Sequence, residues 1–243
     1  MGVHSRYLRG NLLFLDKQRW LDAVGPNVVK ILDDFQFGNY DIVAGDTSPQ
    51  TKAGWLCTFV EVGAGGQLAQ LVAGADGGAL LLTTAGNEND GINVQALGEA
   101  FNPSLTNAWP MYFGIRFKVS SATQSDFLAG LCITDTTLTA GLTDGMYFRK
   151  PDASTTVSYV LEKNSTETTG TAWTCVADTY VTAEILFDGT NVDFYVDGVL
   201  LTRLAQTNLP DDEYLTPSFE FLNGEAVSCT VTIDWIRALQ IQA

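Results

Sequence analysis

The sequence predicts an all-β protein, a sandwich of two antiparallel sheets preceded by an N-terminal arm. Three observations carry this. From Gly54 onward, short runs of β-branched and aromatic residues are broken by Gly, Asp, Asn and Pro clusters roughly every 8 to 12 residues, the rhythm of a sandwich or barrel. Asp-Gly pairs recur at 76–77, 90–91, 144–145, 188–189 and 197–198, where they suit tight hairpin turns. At 243 residues the chain can also bury roughly 75% of its unfolded surface in one core, so neither disulfides nor a metal are needed to hold it.

In chain order, residues 1–35 read as the arm and 36–243 as the sandwich. Lys17 to Val24 suits two helical turns with Trp20, Leu21 and Val24 on one side, stopped by Gly25-Pro26. Val28, Ile31, Leu32 and Phe35 recur at helical spacing, although Val28 to Leu32 reads equally well as a strand. Strands are predicted at 54–62, 67–72, 79–84, 92–97, 111–119, 126–134, 145–150, 156–162, 172–176, 180–187, 192–197, 199–204, 215–222 and 229–241.

The stretch LFDGTNVDFYVDGVLL (186–201) holds Asp188, Asp193 and Asp197. Val192, Phe194 and Val196 share one face of its strand, and Asp193 and Tyr195 the other. Four residues of strand span about 13 Å, too far for Asp193 and Asp197 to hold one calcium through bonds of about 2.4 Å. Asp188 and Asp197 therefore read as turn residues of a three-stranded meander, with Asp193 on its middle strand.

Charge narrows the function. The balance of 13 basic against 28 acidic residues gives −15, which disfavours nucleic acid and anionic lipid. Residues 1–30 nevertheless carry a balance of +3, leaving −18 for the rest, a further sign of a distinct arm. No secretory segment, membrane-spanning run or acylation signal is read from the sequence, which predicts synthesis in a cytoplasm. Cys57, Cys132, Cys175 and Cys229 lie 75, 43 and 54 residues apart, spacing that suits small buried hydrophobes better than zinc or dithiol chemistry; disulfides are the lesser alternative.

Catalytic constellations are not evident. The single histidine, His4, stands in the arm, which leaves no His-based triad or His-rich metal site. Glu88 with Asp90, and Asp211-Asp212-Glu213, are the candidate carboxylate groups, but neither forms the alternating string by which a glucanase strand presents its acids to one face. Gly63-Ala64-Gly65-Gly66 lacks the Lys and helix of a phosphate loop. Asn164-Ser165-Thr166 matches a glycosylation acceptor without a secretory signal to give it meaning. No catalytic residue, metal ligand or cofactor is assigned. Trp109, Tyr147 and Tyr195, with Tyr112 and Phe148, are candidates for a glycan-stacking platform, set against the alternative that strand aromatics are core.

Several stretches together resemble a known family: YFGIRFKVSSATQSDFLAGLCITDT (112–136), DGMYFRK (144–150), VLEKNSTETT (160–169), the meander, LPDDEYLTPSFEFLNGE leading to VTIDWIRALQI, and RWLDAVGPNVVKILDDF (19–35) in the arm. They resemble the concanavalin A-like jelly-roll sandwiches of tailed-bacteriophage heads, the capsid decoration or cement proteins. The resemblance implies a non-enzymatic virion protein on the outer capsid surface, a homo-oligomer, dimer or trimer, bound to the major capsid protein. The apolar and basic arm is the candidate docking element, through Arg6, Arg9, Leu12, Leu13, Phe14, Leu15, Arg19, Trp20 and Leu21. The alternative for such an arm is that it pads its own domain. The alternative for the whole protein is a carbohydrate-binding module for cell-surface adhesion.

Overall fold

The computed structural model describes residues 3–43, 46, 48–60, 66–72, 75 and 77–242. The arm forms β1 (His4–Leu8), β2 (Asn11–Asp16) and β3 (Arg19–Val24), a small antiparallel sheet of their own in that order. Then follow β4 (Val28–Asp33), β5 (Gln50–Lys52), β6 (Trp55–Val60), β7 (Leu68–Leu71), β8 (Leu80–Thr83), β9 (Gly91–Ala96), β10 (Met111–Val119) and β11 (Ser125–Cys132). After the short helix α1 (Leu138–Gly141) come β12 (Gly145–Lys150), β13 (Thr156–Lys163), β14 (Thr166–Thr174) and β15 (Val181–Phe187). The chain ends with β16 (Val192–Val196), β17 (Val199–Leu204), β18 (Thr216–Asn223) and β19 (Thr230–Ile241).

These build the two-sheet antiparallel sandwich that the sequence predicts. One sheet runs β17-β16-β15-β10-β19-β8-β7, with β4 paired to the second half of β19; the other runs β14-β13-β12-β11-β18-β9-β6-β5. Alternation along each strand sends one set of side chains between the layers. The seam is aromatic: Phe117 meets Phe127 and Phe219 edge-on at 5.0 and 5.5 Å, and Phe148 meets Phe194 and Trp173 at 5.4 and 5.3 Å. All four cysteines are buried and unbridged, packed as small hydrophobes.

Each predicted strand from 54 onward has a counterpart, and β15-β16-β17 form the expected meander. Residues 61 and 62, the Gly63 to Gly65 stretch and Asp76 lie outside the described residues. The strand predicted at 172–176 is the tail of a longer one, β14, whose first half is Thr, Glu and Gly and gives no apolar signal.

The helical reading of Lys17 to Val24 is corrected: the segment contains strand β3. Leu15 pairs with Trp20 and Phe14 with Asp22, so Leu21 is an extra bulged residue. The bulge puts Trp20 and Ala23 on one face, an i, i+3 spacing that imitates a helix. Residues 28–33 take the strand alternative and belong to the sandwich by pairing with β19.

The Asp-Gly reading is corrected in part. Asp197 and Gly198 both have positive φ at a two-residue turn, and Asp188 caps its turn through the N–H groups of Thr190 and Asn191 at 2.8 and 2.7 Å. Asp90-Gly91 and Asp144-Gly145 instead stand where strands begin, their carboxylates buried. Gly91 is needed for space, since a Cβ there lies 2.2 Å from the Phe221 carbonyl oxygen.

Phe194 joins Phe148 to Tyr159 across the layers. Phe194→Ala is expected to cost about 3–5 kcal/mol, read as a lower urea midpoint at unchanged slope.

Candidate functional site

The arm lies on the outer face of the first sheet. Leu13, Leu15, Trp20 and Ala23 close over Tyr112, Leu239 and Ile241 to make a second apolar cluster. The Trp20 and Tyr112 rings stack at 6.3 Å and 15°. Beneath them Glu184 is fully buried, and its Oε1 accepts from Arg19 Nε at 2.9 Å and from the Tyr112 hydroxyl at 2.8 Å. Burial pushes the Tyr112 hydroxyl well above its ordinary range. Gly114 makes room for that hydroxyl, which lies 2.3 Å from where its Cβ would stand.

This placement corrects part of the docking set. Leu13, Leu15 and Trp20 are spent on the protein's own sandwich, Arg19 on Glu184, and Leu12, Phe14 and Leu21 are half-buried. Arg6 and Arg9 are exposed, and Arg9 donates to the Asn107 and Ala108 carbonyls at 3.3 and 2.9 Å. Among the exposed arm residues outside the predicted set are Tyr7, 76% exposed, and Lys17 at the β2–β3 turn.

The outer face of the second sheet is covered by the loop 133–144, which contains α1. Leu138 and Leu142 pack on Leu128, Cys132, Tyr147 and Val160. Glu220 accepts from the backbone N–H groups of Leu138 and Thr139 at 3.0 and 2.6 Å. Asn93 donates to the Asp135 carbonyl at 2.7 Å, and Gln95 both donates to the Ile133 carbonyl at 3.1 Å and accepts from the Asp135 N–H at 3.0 Å. Tyr147 lies under this loop with its hydroxyl donating to Glu162 at 2.5 Å, so its proposed place in a stacking platform is corrected: no ring face is open to a sugar. Burial raises the carboxyl groups of Glu162 and Glu220, and both are occupied in holding neighbours.

The three aspartates of 186–201 do not converge. Asp193 is buried on β16, held in a two-bond pair by Arg203 at 2.7 and 2.7 Å and by the Tyr195 hydroxyl at 3.1 Å. Asp197 accepts from the Thr182 N–H at 2.9 Å. Tyr195 is half-buried on the outer face, and burial pushes its hydroxyl up to about 12. Trp109 is half-buried in the loop before β10, whose Ala108 carbonyl abuts Gly189. Tyr112 and Phe148, the other aromatic candidates, are buried.

No family model matches the chain, and no curated protein does. Solved structures share its architecture. The carbohydrate recognition domain of Emp47p aligns over 84% of this chain and 95% of its own at 10% identity and a TM-score of 0.54. The metal-free domain of Emp46p aligns over 76% and 88% at 8% identity and 0.52. The endo-β-1,4-glucuronan lyase of the fungus Trichoderma reesei aligns over 86% and 94% at 9% identity and 0.51. The protein therefore has a concanavalin A-like jelly-roll fold. That architecture serves recognition domains and an enzyme alike, so the fold by itself assigns no activity.

One carboxyl on the second sheet gives a pH test. Asp126 is half-buried, its Oδ1 lacks a hydrogen bond, and burial with the nearby Asp152 pushes it from 3.8 to about 6. A carboxyl raised in the fold binds its proton more tightly there than in the unfolded chain, so the stability it contributes below about 4 is lost as pH rises through 6. Asp126→Asn is expected to gain melting temperature relative to wild type between about pH 4 and pH 7, as thermal melts at the two pH values will show.

Proposed function

We propose that the protein is a non-enzymatic structural subunit of a tailed-phage virion, a decoration or cement protein bound to the major capsid protein on the outside of the head. The observation that carries this reading is that the chain itself covers the apolar part of both outer sheet faces, with the arm on one and the loop 133–144 on the other. Its free strand edges and turns are parts of a sandwich that suit contact with other proteins. The sequence resemblance to head decoration proteins, together with four unbridged cysteines suited to a cytoplasmic origin, supports it.

Docking falls to the exposed side of the arm, where Arg6, Tyr7, Arg9 and Lys17 present cations and a ring on a chain of net charge −15. A cement protein stabilises a shell by binding only its assembled state. Nothing in that role needs a cofactor, nucleic acid or a membrane. The carbohydrate-binding reading is favoured by one feature, the half-exposed rings of Trp109 and Tyr195; the recognition domain of Emp47p has the same architecture.

The substitutions Arg6→Glu, Tyr7→Ala and Lys17→Glu fall on exposed positions. Together they are expected to weaken co-sedimentation with expanded capsids at least about tenfold while leaving the melting temperature in place. Retained capsid binding would remove the arm from this role. Glycan-array binding that Trp109→Ala abolishes, without any capsid binding, would establish the carbohydrate reading instead.

A further inference from the structure

We infer that the protein binds a small aromatic carboxylate, a single ring with a short acidic tail, in a cavity between its two sheets. Protein interiors are packed as tightly as organic crystals, and few voids in them exceed a water molecule. One end of this sandwich departs from that. A cavity of about 250 Å³ opens there between β10, β15 and β16 of the first sheet and β11 and β14 of the second. Its inner wall is the aromatic seam of the core, Phe117, Phe127 and Trp173, with Val181 and Val196 beside it. The Phe127 and Trp173 rings stack at 6.3 Å and 26°.

The lip of the cavity is tied to both layers. Residues 175–180 cross from β14 to β15. At one end the Cys175 N–H donates to the Thr155 carbonyl at 2.7 Å, and further along the Asp178 N–H donates to the Val119 carbonyl of β10 at 2.8 Å. Val176 on this lip is 58% exposed, and Thr174 and Thr179 are exposed with it, so the mouth meets solvent.

Size and chemistry set the occupant. An apolar cavity of about 150 Å³ takes benzene, so this larger one has room for a ring and a tail of about two carbons. Walls made of rings favour an aromatic body, through offset and edge-on contacts. The polar head of such a ligand comes to the rim, where Lys118 lines the cavity with its ammonium 5.2 Å from the centre of the Tyr180 ring. Arg116 stacks on the same ring at 4.2 Å but is paired with Asp234. Asp197, also on the rim, accepts from the Thr182 N–H at 2.9 Å. Lys118 is in no ion pair among the described residues, which leaves its charge for a carboxylate on the ligand. The inference rests on this cavity and does not depend on the capsid reading.

Three compounds with one body and different heads test it on the full chain: phenylacetate, phenylethanol and phenylethylamine, titrated by calorimetry or ligand-observed NMR. The expected order of affinity is acid, alcohol, amine, with the acid binding at or below about 1 mM. Binding should change the tryptophan fluorescence of the wild type and leave that of Trp173→Phe unchanged. Lys118→Met keeps the aliphatic stem and is expected to weaken the acid about tenfold, to the level of the alcohol, whose own affinity stays as it was. Val181→Phe fills the cavity and is expected to abolish binding of all three without loss of melting temperature. Failure of every compound to bind at up to about 10 mM would overturn the inference. So would an acid that binds no tighter than the alcohol, a fluorescence change that survives Trp173→Phe, or acid binding that Lys118→Met leaves intact.

Discussion

A sheet in a two-layer sandwich has one face in the core and one outside, and the outer face must be wetted by polar side chains or covered. In this protein both outer faces bear residues that water cannot satisfy, so the chain covers them itself. On the first sheet Tyr112, Leu239 and Ile241 form an apolar floor with Glu184 sunk into it. On the second, Leu128, Cys132 and Val160 do the same beside Glu220. The arm and the loop 133–144 are thus parts of the fold, and the buried polar side chains are the clamps that fix them in register. A carboxylate beneath a cover is stable only when its neighbours donate to it, as Arg19 and Tyr112 do for Glu184 and two backbone N–H groups do for Glu220.

That constraint shapes the surface. A jelly roll with an open outer face offers rings and polar groups to an extended ligand; here Tyr147 is sealed beneath Leu138 and Leu142, and Glu162 is engaged by its hydroxyl. On a chain of net charge −15, the arm exposes the cations Arg6 and Lys17, and β17 exposes Val199, Leu200 and Leu201.

Much of this was legible in the sequence. Strands from 111 onward announce themselves because β-branched and aromatic residues alternate between Gly and Asp punctuation, and the parity of Asp193 against Phe194 already separates turn carboxylates from a strand one. The arm was less legible because the bulge at Leu21 converts a two-residue period into a three-residue one. The cover over the second sheet was not legible at all. In β12, Met146, Tyr147 and Phe148 are all buried, so alternation cannot tell which ring faces out; only the position of Leu138 and Leu142 decides it. Glu220 likewise sits inside TPSFEFLN as an ordinary outward polar residue until the loop above it is known.

Hydrogen exchange of the free protein, read by mass spectrometry, tests the self-covered sandwich most directly. The account predicts that amides of β2 and β3, and of Leu138 and Thr139 in the covering loop, exchange as slowly as those of β10 and β11 in the core. Fast exchange in either segment under native conditions would mean an open outer face, and would contradict it.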